Sequence, residues 1–204
     1  MRDPNNIAEI AKAGADMLGF IFFEKSKRYV NSIDTQHFKN LEFQPEKIGV
    51  FVNAEEQYVN TQIADYHLDY VQLHGDESPT YCAAIKNKNP QIKVIKVFSV
   101  GASFDFVKTE KYTEVADFFL FDTKGKERGG NGFKFNWEIL QEYQGETPFL
   151  LSGGISLEDV EAVKEFKHPK LWGVDVNSGF ESAPGIKKAK EVQQFIVETT
   201  HRGV

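Results

Sequence analysis

The chain has a single cysteine, Cys82, in 204 residues. No disulfide framework can form within it, which suits a reducing cytoplasm. No apolar run approaches the roughly 20 residues that a membrane-spanning helix needs. The opening, MRDPNNIAEI, is polar and helical in pattern, unlike a secretion signal. Basic charge is scarce: 24 Lys and Arg against 30 Asp and Glu leave a net charge of -6. A nucleic-acid partner would call for a concentrated basic face, so that class is set aside. A small anion stays allowed, because a few local donors override a weak global field. Repeats, low-complexity tracts and linkers are also missing, so residues 1–204 read as one domain.

What is present is a strand-then-helix rhythm. Short apolar runs at Met17–Phe23, Ile48–Val52, Tyr70–Leu73, Val94–Val100, Phe118–Phe121, Phe149–Leu151 and Gly173–Val176 have the length and residue bias of buried parallel strands. Helical patterns lie between and around them: Pro4–Ala13, Thr35–Leu41, Glu55–Tyr66, Ser78–Lys86, Phe104–Tyr112, Trp137–Tyr143, Ser156–Phe166 and Ile186–Val197. Asp3 before Pro4, Ser78 before Pro79, and Ser156 are expected N-caps. Such alternation predicts an α/β fold with a parallel sheet covered by helices. Seven strands and eight helical segments favour a (β/α)8 TIM barrel over an open doubly wound sheet. A barrel unit is a strand followed by a helix, and this pattern opens on a helix. The expectation is a barrel whose first β-strand is missing from the pattern.

Chemistry in such a barrel belongs at the C-terminal ends of the strands. Glu24-Lys25-Ser26-Lys27-Arg28-Tyr29 follows the first visible strand; Arg28 could grip a carboxylate or phosphate with two donors, or the run could be a solvated basic loop. Gln72 and His74 stand two apart, so they share a strand face and would point into the barrel; a hydrogen-bonded structural histidine is the alternative. Asp122 ends its strand and could serve as a general acid or base, or cap the next turn. The glycines Gly129, Gly130 and Gly132 after it suggest a lid, or a plain flexible loop. Gly153 and Gly154 lead into a helix, and Asn177, Ser178 and Gly179 follow Asp175. Together they fit the phosphate site that barrels build after their last two strands. Cys82 sits mid-helix on an apolar stripe and reads as a buried structural thiol.

The stretches GADMLGFIFFEKSKRYV, KIGVFVN, DYVQLHGDESPTYC, FLFDT, GGNGFKFNW, PFLLSGGIS and GVDVNSGFESAPG run in one order along nearly the whole chain. In that order they resemble the phosphoribosylanthranilate isomerase family of tryptophan biosynthesis. The resemblance implies an Amadori rearrangement of N-(5-phosphoribosyl)anthranilate to 1-(2-carboxyphenylamino)-1-deoxyribulose 5-phosphate, by proton transfers alone and without a cofactor or metal. It implies Asp122 as general acid and Arg28 on the anthranilate carboxylate. Gln72, His74 and Asp175 would line the site, the five residues Gly153, Gly154, Asn177, Ser178 and Gly179 would hold the phosphate, and Gly129, Gly130 and Gly132 would form the lid. The family's general base is a cysteine in a Lys-x-Cys-Gly stretch that directly precedes Met-Arg-Asp-Pro. Here Met1-Arg2-Asp3-Pro4 opens the sequence, so Met1 is expected to be an internal methionine of the natural protein. As it stands, the sequence also fits a catalytically impaired binder of phosphoribosyl compounds. A metal-dependent phosphosugar epimerase would need ligands from several strand ends, which His74 alone does not supply. The expected partner is a small phosphorylated anion, with no nucleic acid or membrane, for a cytoplasmic monomer or homodimer.

Overall fold

Asp3 starts the first helix by accepting a hydrogen bond from the Asn6 amide, while Pro4 occupies the first turn, where a missing N–H costs nothing. The computed structural model describes residues 1–39, 41–123 and 137–200. Helix α1 (Pro4–Lys12) is followed by β1 (Met17–Ile21), α2 (Gln36–Lys39), β2 (Glu46–Phe51), α3 (Glu56–Tyr66), β3 (Tyr70–Leu73), α4 (Pro79–Lys88), β4 (Lys93–Val100), α5 (Val107–Glu110) and β5 (Phe118–Thr123). A 3-10 turn at Trp137–Glu142 leads to β6 (Phe149–Ser152). Another at Leu157–Asp159 runs into α6 (Val160–Glu165). Then come β7 (Leu171–Val174), a 3-10 turn at Ser178–Phe180, β8 (Glu181–Ala183), β9 (Ile186–Lys187) and α7 (Ala189–Thr200).

Strands β1 to β7 form one parallel sheet in sequence order. Side chains alternate across it, as the two-residue period of a strand requires. Ile48, Tyr70, Ile95, Val97, Leu120 and Leu150 form an interior cluster. Phe51, Val71, Leu73, Phe119, Phe121 and Leu151 face the helices in a larger one. Ile48 on β2 and Leu150 on β6 share the interior cluster although three strands separate them. The sheet therefore curls on itself as a TIM-barrel-like half-barrel. Its end strands, β1 and β7, are not paired with each other among the described residues.

Several expectations shift. Phe118–Phe121 extends to Thr123, so Asp122 lies on β5 itself, opposite Ser99 and Ser152. The last strand of the sheet is Leu171–Val174 rather than Gly173–Val176, which puts Asp175 just past its end, with its N–H bonded to the Leu151 carbonyl. The helix expected over Trp137–Tyr143 is a 3-10 turn. The segment after Ser156 begins as 3-10, stapled by a reciprocal Ser156–Asp159 capping box. The largest correction is at Ile186–Val197. Ile186 and Lys187 are not helical but pair antiparallel with β8. Pro184-Gly185 makes the turn, with Gly185 at φ 83°, the left-handed position that a Pro-Gly turn needs.

Candidate active site

The interior holds a cavity of about 660 Å³ that runs from Met17 and Glu46, at the N-terminal ends of β1 and β2, to the C-terminal ends of the strands. Arg28, Gln72, His74, Asp122, Gly153, Gly154, Asp175, Asn177 and Ser178 all line it. Residues up to 150 positions apart in sequence, Arg28 and Ser178, thus meet because each lies at or just past the C-terminal end of a parallel strand. Gly129, Gly130 and Gly132 lie outside the described residues.

Each side chain is placed by its strand. Val71 and Leu73 pack outward, so Gln72 and His74 turn inward. His74 Nε2 stands 3.6 Å from Asp122 Oδ2, near enough for charge coupling and long for a direct hydrogen bond. Asp175 Oδ2 accepts a 2.9 Å hydrogen bond from the Ser152 hydroxyl. Burial raises the Asp175 carboxyl above the ordinary carboxylate range. The Ser152 hydroxyl and Lys187 oppose that rise, while the neighbouring Asp122 adds to it. The two carboxylates therefore sit in unlike environments while sensing each other.

The two expected phosphate loops differ in what they ask of glycine. Gly153 and Gly154 have φ of 116° and 66°, conformations that glycine adopts without steric cost. Gly179 does not line the cavity. A β-carbon there would stand 2.1 Å from the Ile155 carbonyl oxygen and 3.1 Å from Ser156 Cα. Gly179 thus lets the second loop lie directly on the first.

Arg28 is not a free donor. Its Nε bonds Glu181 Oε1 and Oε2 at 3.0 and 2.9 Å, and its Nη2 bonds Oε2 at 2.7 Å. Glu181 also accepts from Lys187 Nζ at 2.9 Å and from the Gly185 amide at 3.0 Å. Lys187 Nζ donates to Asn177 Oδ1 as well. Sequence reasoning missed Lys187 because its segment read as helix; the Pro184-Gly185 pair was the signal for a turn. Ser152 was passed over because a strand-end serine has no distinctive pattern.

Burial alone would push the Glu181 carboxyl up, but Arg28 and Lys187 hold it down at about 2. Its folded value lies below the ordinary 4.5. The stability that this carboxylate contributes is therefore complete above pH 4.5 and is lost as the pH falls toward 2. Urea midpoints measured across that window should fall more steeply for the parent than for Glu181→Gln. Parallel curves would show that the carboxylate is not so held.

Cys82 is fully buried on α4 and does not line the cavity. Burial pushes its thiol up to about 11, against a smaller opposing pull from Lys96, so it is a poor nucleophile or base near neutral pH.

The sequence and the fold are both similar to those of known proteins. The family model for N-(5'phosphoribosyl)anthranilate (PRA) isomerase matches residues 1–198. An N-(5'-phosphoribosyl)anthranilate isomerase of Parabacteroides distasonis is 44% identical, over 100% of this chain and 92% of its own length. The isomerase of Phocaeicola vulgatus is also 44% identical, over 96% of this chain and 93% of its own. Among solved structures, the Thermotoga maritima phosphoribosyl anthranilate isomerase superposes with a TM-score of 0.81 at 31% identity, covering 98% of this chain and 95% of that one. A further structure, TM-score 0.78 and 29% identical over 98% of this chain and 94% of its own, is an isomerase in complex with reduced 1-(o-carboxyphenylamino)-1-deoxyribulose 5-phosphate. A 3-hexulose-6-phosphate synthase, 13% identical with a TM-score of 0.65 over 94% of this chain and 91% of its own, shares the fold alone. This chain belongs to the N-(5'-phosphoribosyl)anthranilate isomerase family.

Proposed function

We propose that the cavity binds N-(5-phosphoribosyl)anthranilate and that its residues carry an Amadori rearrangement, the isomerisation step of tryptophan biosynthesis, in the cytoplasm. The observation that carries the reading is the meeting of His74, Asp122 and Asp175 with both glycine loops around one cavity. The substrate phosphate is assigned to the backbone amides of Gly153 and Gly154 and to the Asn177–Gly179 loop, with Lys187 adding positive charge beside Asn177. Arg28 is assigned the anthranilate carboxylate. A guanidinium has five N–H donors, and Glu181, by engaging Nε and Nη2, fixes its plane and orients the other edge.

Asp122 is the general acid. It protonates the ribose ring oxygen, the C1–O bond breaks, and the amine nitrogen lone pair completes a Schiff base. A base then removes the C2 proton, and the enolamine tautomerises to the C2 ketone. Proton transfers account for every step. His74, beside Asp122, is placed to tune its charge, and Gln72 to bind the sugar.

A second reading, a binder of phosphoribosyl compounds with impaired catalysis, is favoured by one observation. Cys82, the one cysteine of the sequence, lies away from the cavity, whereas family resemblance assigns the base to a cysteine. Turnover separates the two. The isomerase reading expects loss of substrate fluorescence on addition of the protein; binding without turnover supports the second. Appending a strand that ends in Lys-x-Cys-Gly ahead of Met1 is expected to raise the rate, and equal rates would refute a role for that cysteine.

A further inference from the structure

We infer that Lys96 and Glu77, a buried ion pair outside the cavity, are positioning residues for His74. The inference rests on the reading that His74 works beside Asp122. Lys96 lies on β4 with Val94 and Phe98, the face that turns toward the helices, yet its side chain is only 3% exposed and that of Glu77 only 1%. A lysine buried so completely is rare unless paired. The ammonium reaches the Leu73 carbonyl at 3.1 Å, the Gly75 carbonyl at 2.7 Å and Glu77 Oε2 at 3.3 Å. Glu77 Oε2 in turn accepts from the Gly75 amide at 2.9 Å, and Oε1 from the Asn53 amide at 2.8 Å.

The residues on either side of His74, Leu73 and Gly75, are therefore held by one ammonium and one carboxylate. The His74 amide is held separately by the Phe51 carbonyl at 2.9 Å. Asn53 ties the next residue, accepting from the Asp76 amide at 2.7 Å, and the Tyr112 hydroxyl donates to the Glu77 carbonyl at 3.0 Å. The rings of Phe98 and Tyr112 stand 5.8 and 5.9 Å from the ammonium, within cation–π range. A strand-end loop would ordinarily be mobile. Here the backbone that aims the imidazole at Asp122 is clamped from behind, and both members of the clamp are shielded from water and salt.

Removing one charge would strand the other, so the test removes both. In Lys96→Met/Glu77→Gln neither buried charge is left unpaired, a change that cores often tolerate, and the amide retains an acceptor for one backbone N–H. The expected result is a folded protein whose kcat falls between about 10-fold and 100-fold, as displaced catalytic groups do. Affinity for inorganic phosphate at the other loops should stay within about twofold, by the same separation of sites. The proton NMR signals of the His74 ring should shift, since the ring moves relative to its neighbours. Parental kcat together with parental His74 ring signals would overturn the inference. Should the double variant fail to fold, Glu77→Asp keeps both charges and withdraws the carboxylate from the Gly75 and Asn53 amides. A smaller fall in kcat is then expected, and parental kcat would overturn the inference. If the parent itself does not turn over phosphoribosylanthranilate, the functional reading fails, and the His74 ring signals decide the positioning role alone.

Discussion

Asp122→Asn should lower kcat for phosphoribosylanthranilate by about 10²–10⁴-fold, the range lost when a general acid or base is removed. The substitution is isosteric and sits half-buried near the C-terminal end of β5, so the fold and the strand pairs to Ser99 and Ser152 should be retained. KM should move little, because the loops proposed to hold the phosphate and the Arg28 proposed to hold the carboxylate are untouched. A loss confined to kcat identifies a group that acts in the transition state rather than in binding. The variant offers a second readout that does not depend on turnover. Asp122 raises the Asp175 carboxyl by charge repulsion, so its neutralisation should let Asp175 titrate at lower pH, visible in the carboxyl carbon shift. Full activity in an otherwise active protein would remove Asp122 from the mechanism.

Gly179→Ala should weaken binding of the substrate and of inorganic phosphate by about 10-fold to 100-fold. The new β-carbon would meet the Ile155 carbonyl oxygen at 2.1 Å. That neighbour is backbone, so it cannot rotate aside as a flexible side chain would. One loop must move off the other, with an overpacking cost of about 1–3 kcal/mol. Each 1.4 kcal/mol expressed in binding is about a factor of ten. The effect should appear in KM and in the phosphate inhibition constant, while the His74–Asp122 pair keeps its separation. Unchanged phosphate affinity would show that the contact between the loops does not shape the anion site.

These two variants probe residues that were legible in different degrees. Asp122 is visible from sequence because an apolar strand that ends in a carboxylate is an unusual pattern, and a barrel exposes strand ends on one face. Gln72 and His74 are visible for the same reason, through the two-residue period. Gly179 is visible as part of a glycine-containing loop, but its task is not. Sequence reading places it on the phosphate, and the structure adds that its missing side chain permits the two loops to touch. Arg28 was found, but its partner Glu181 was not.

Local pattern by itself determined the order of the seven parallel strands and most of the helices between them, the helix caps at Asp3, Ser78 and Ser156, and a TIM-barrel-like α/β fold, because these follow from periodicity and from hydrogen bonds a few residues long. It also pointed to the C-terminal strand ends as the candidate site, since in such barrels the loops after the strands carry chemistry. Only the tertiary structure decided which charges meet. Lys187 reads as one more helical lysine until the Pro184-Gly185 turn folds β9 back and brings it to Glu181, Arg28 and Asn177. Lys96 reads as a polar interruption in an apolar strand until the loop after β3 wraps around it. Such pairings join residues from 6 to 153 positions apart. No local pattern encodes them, because they depend on chain closure, and burial then strengthens each contact by excluding the water that would screen it.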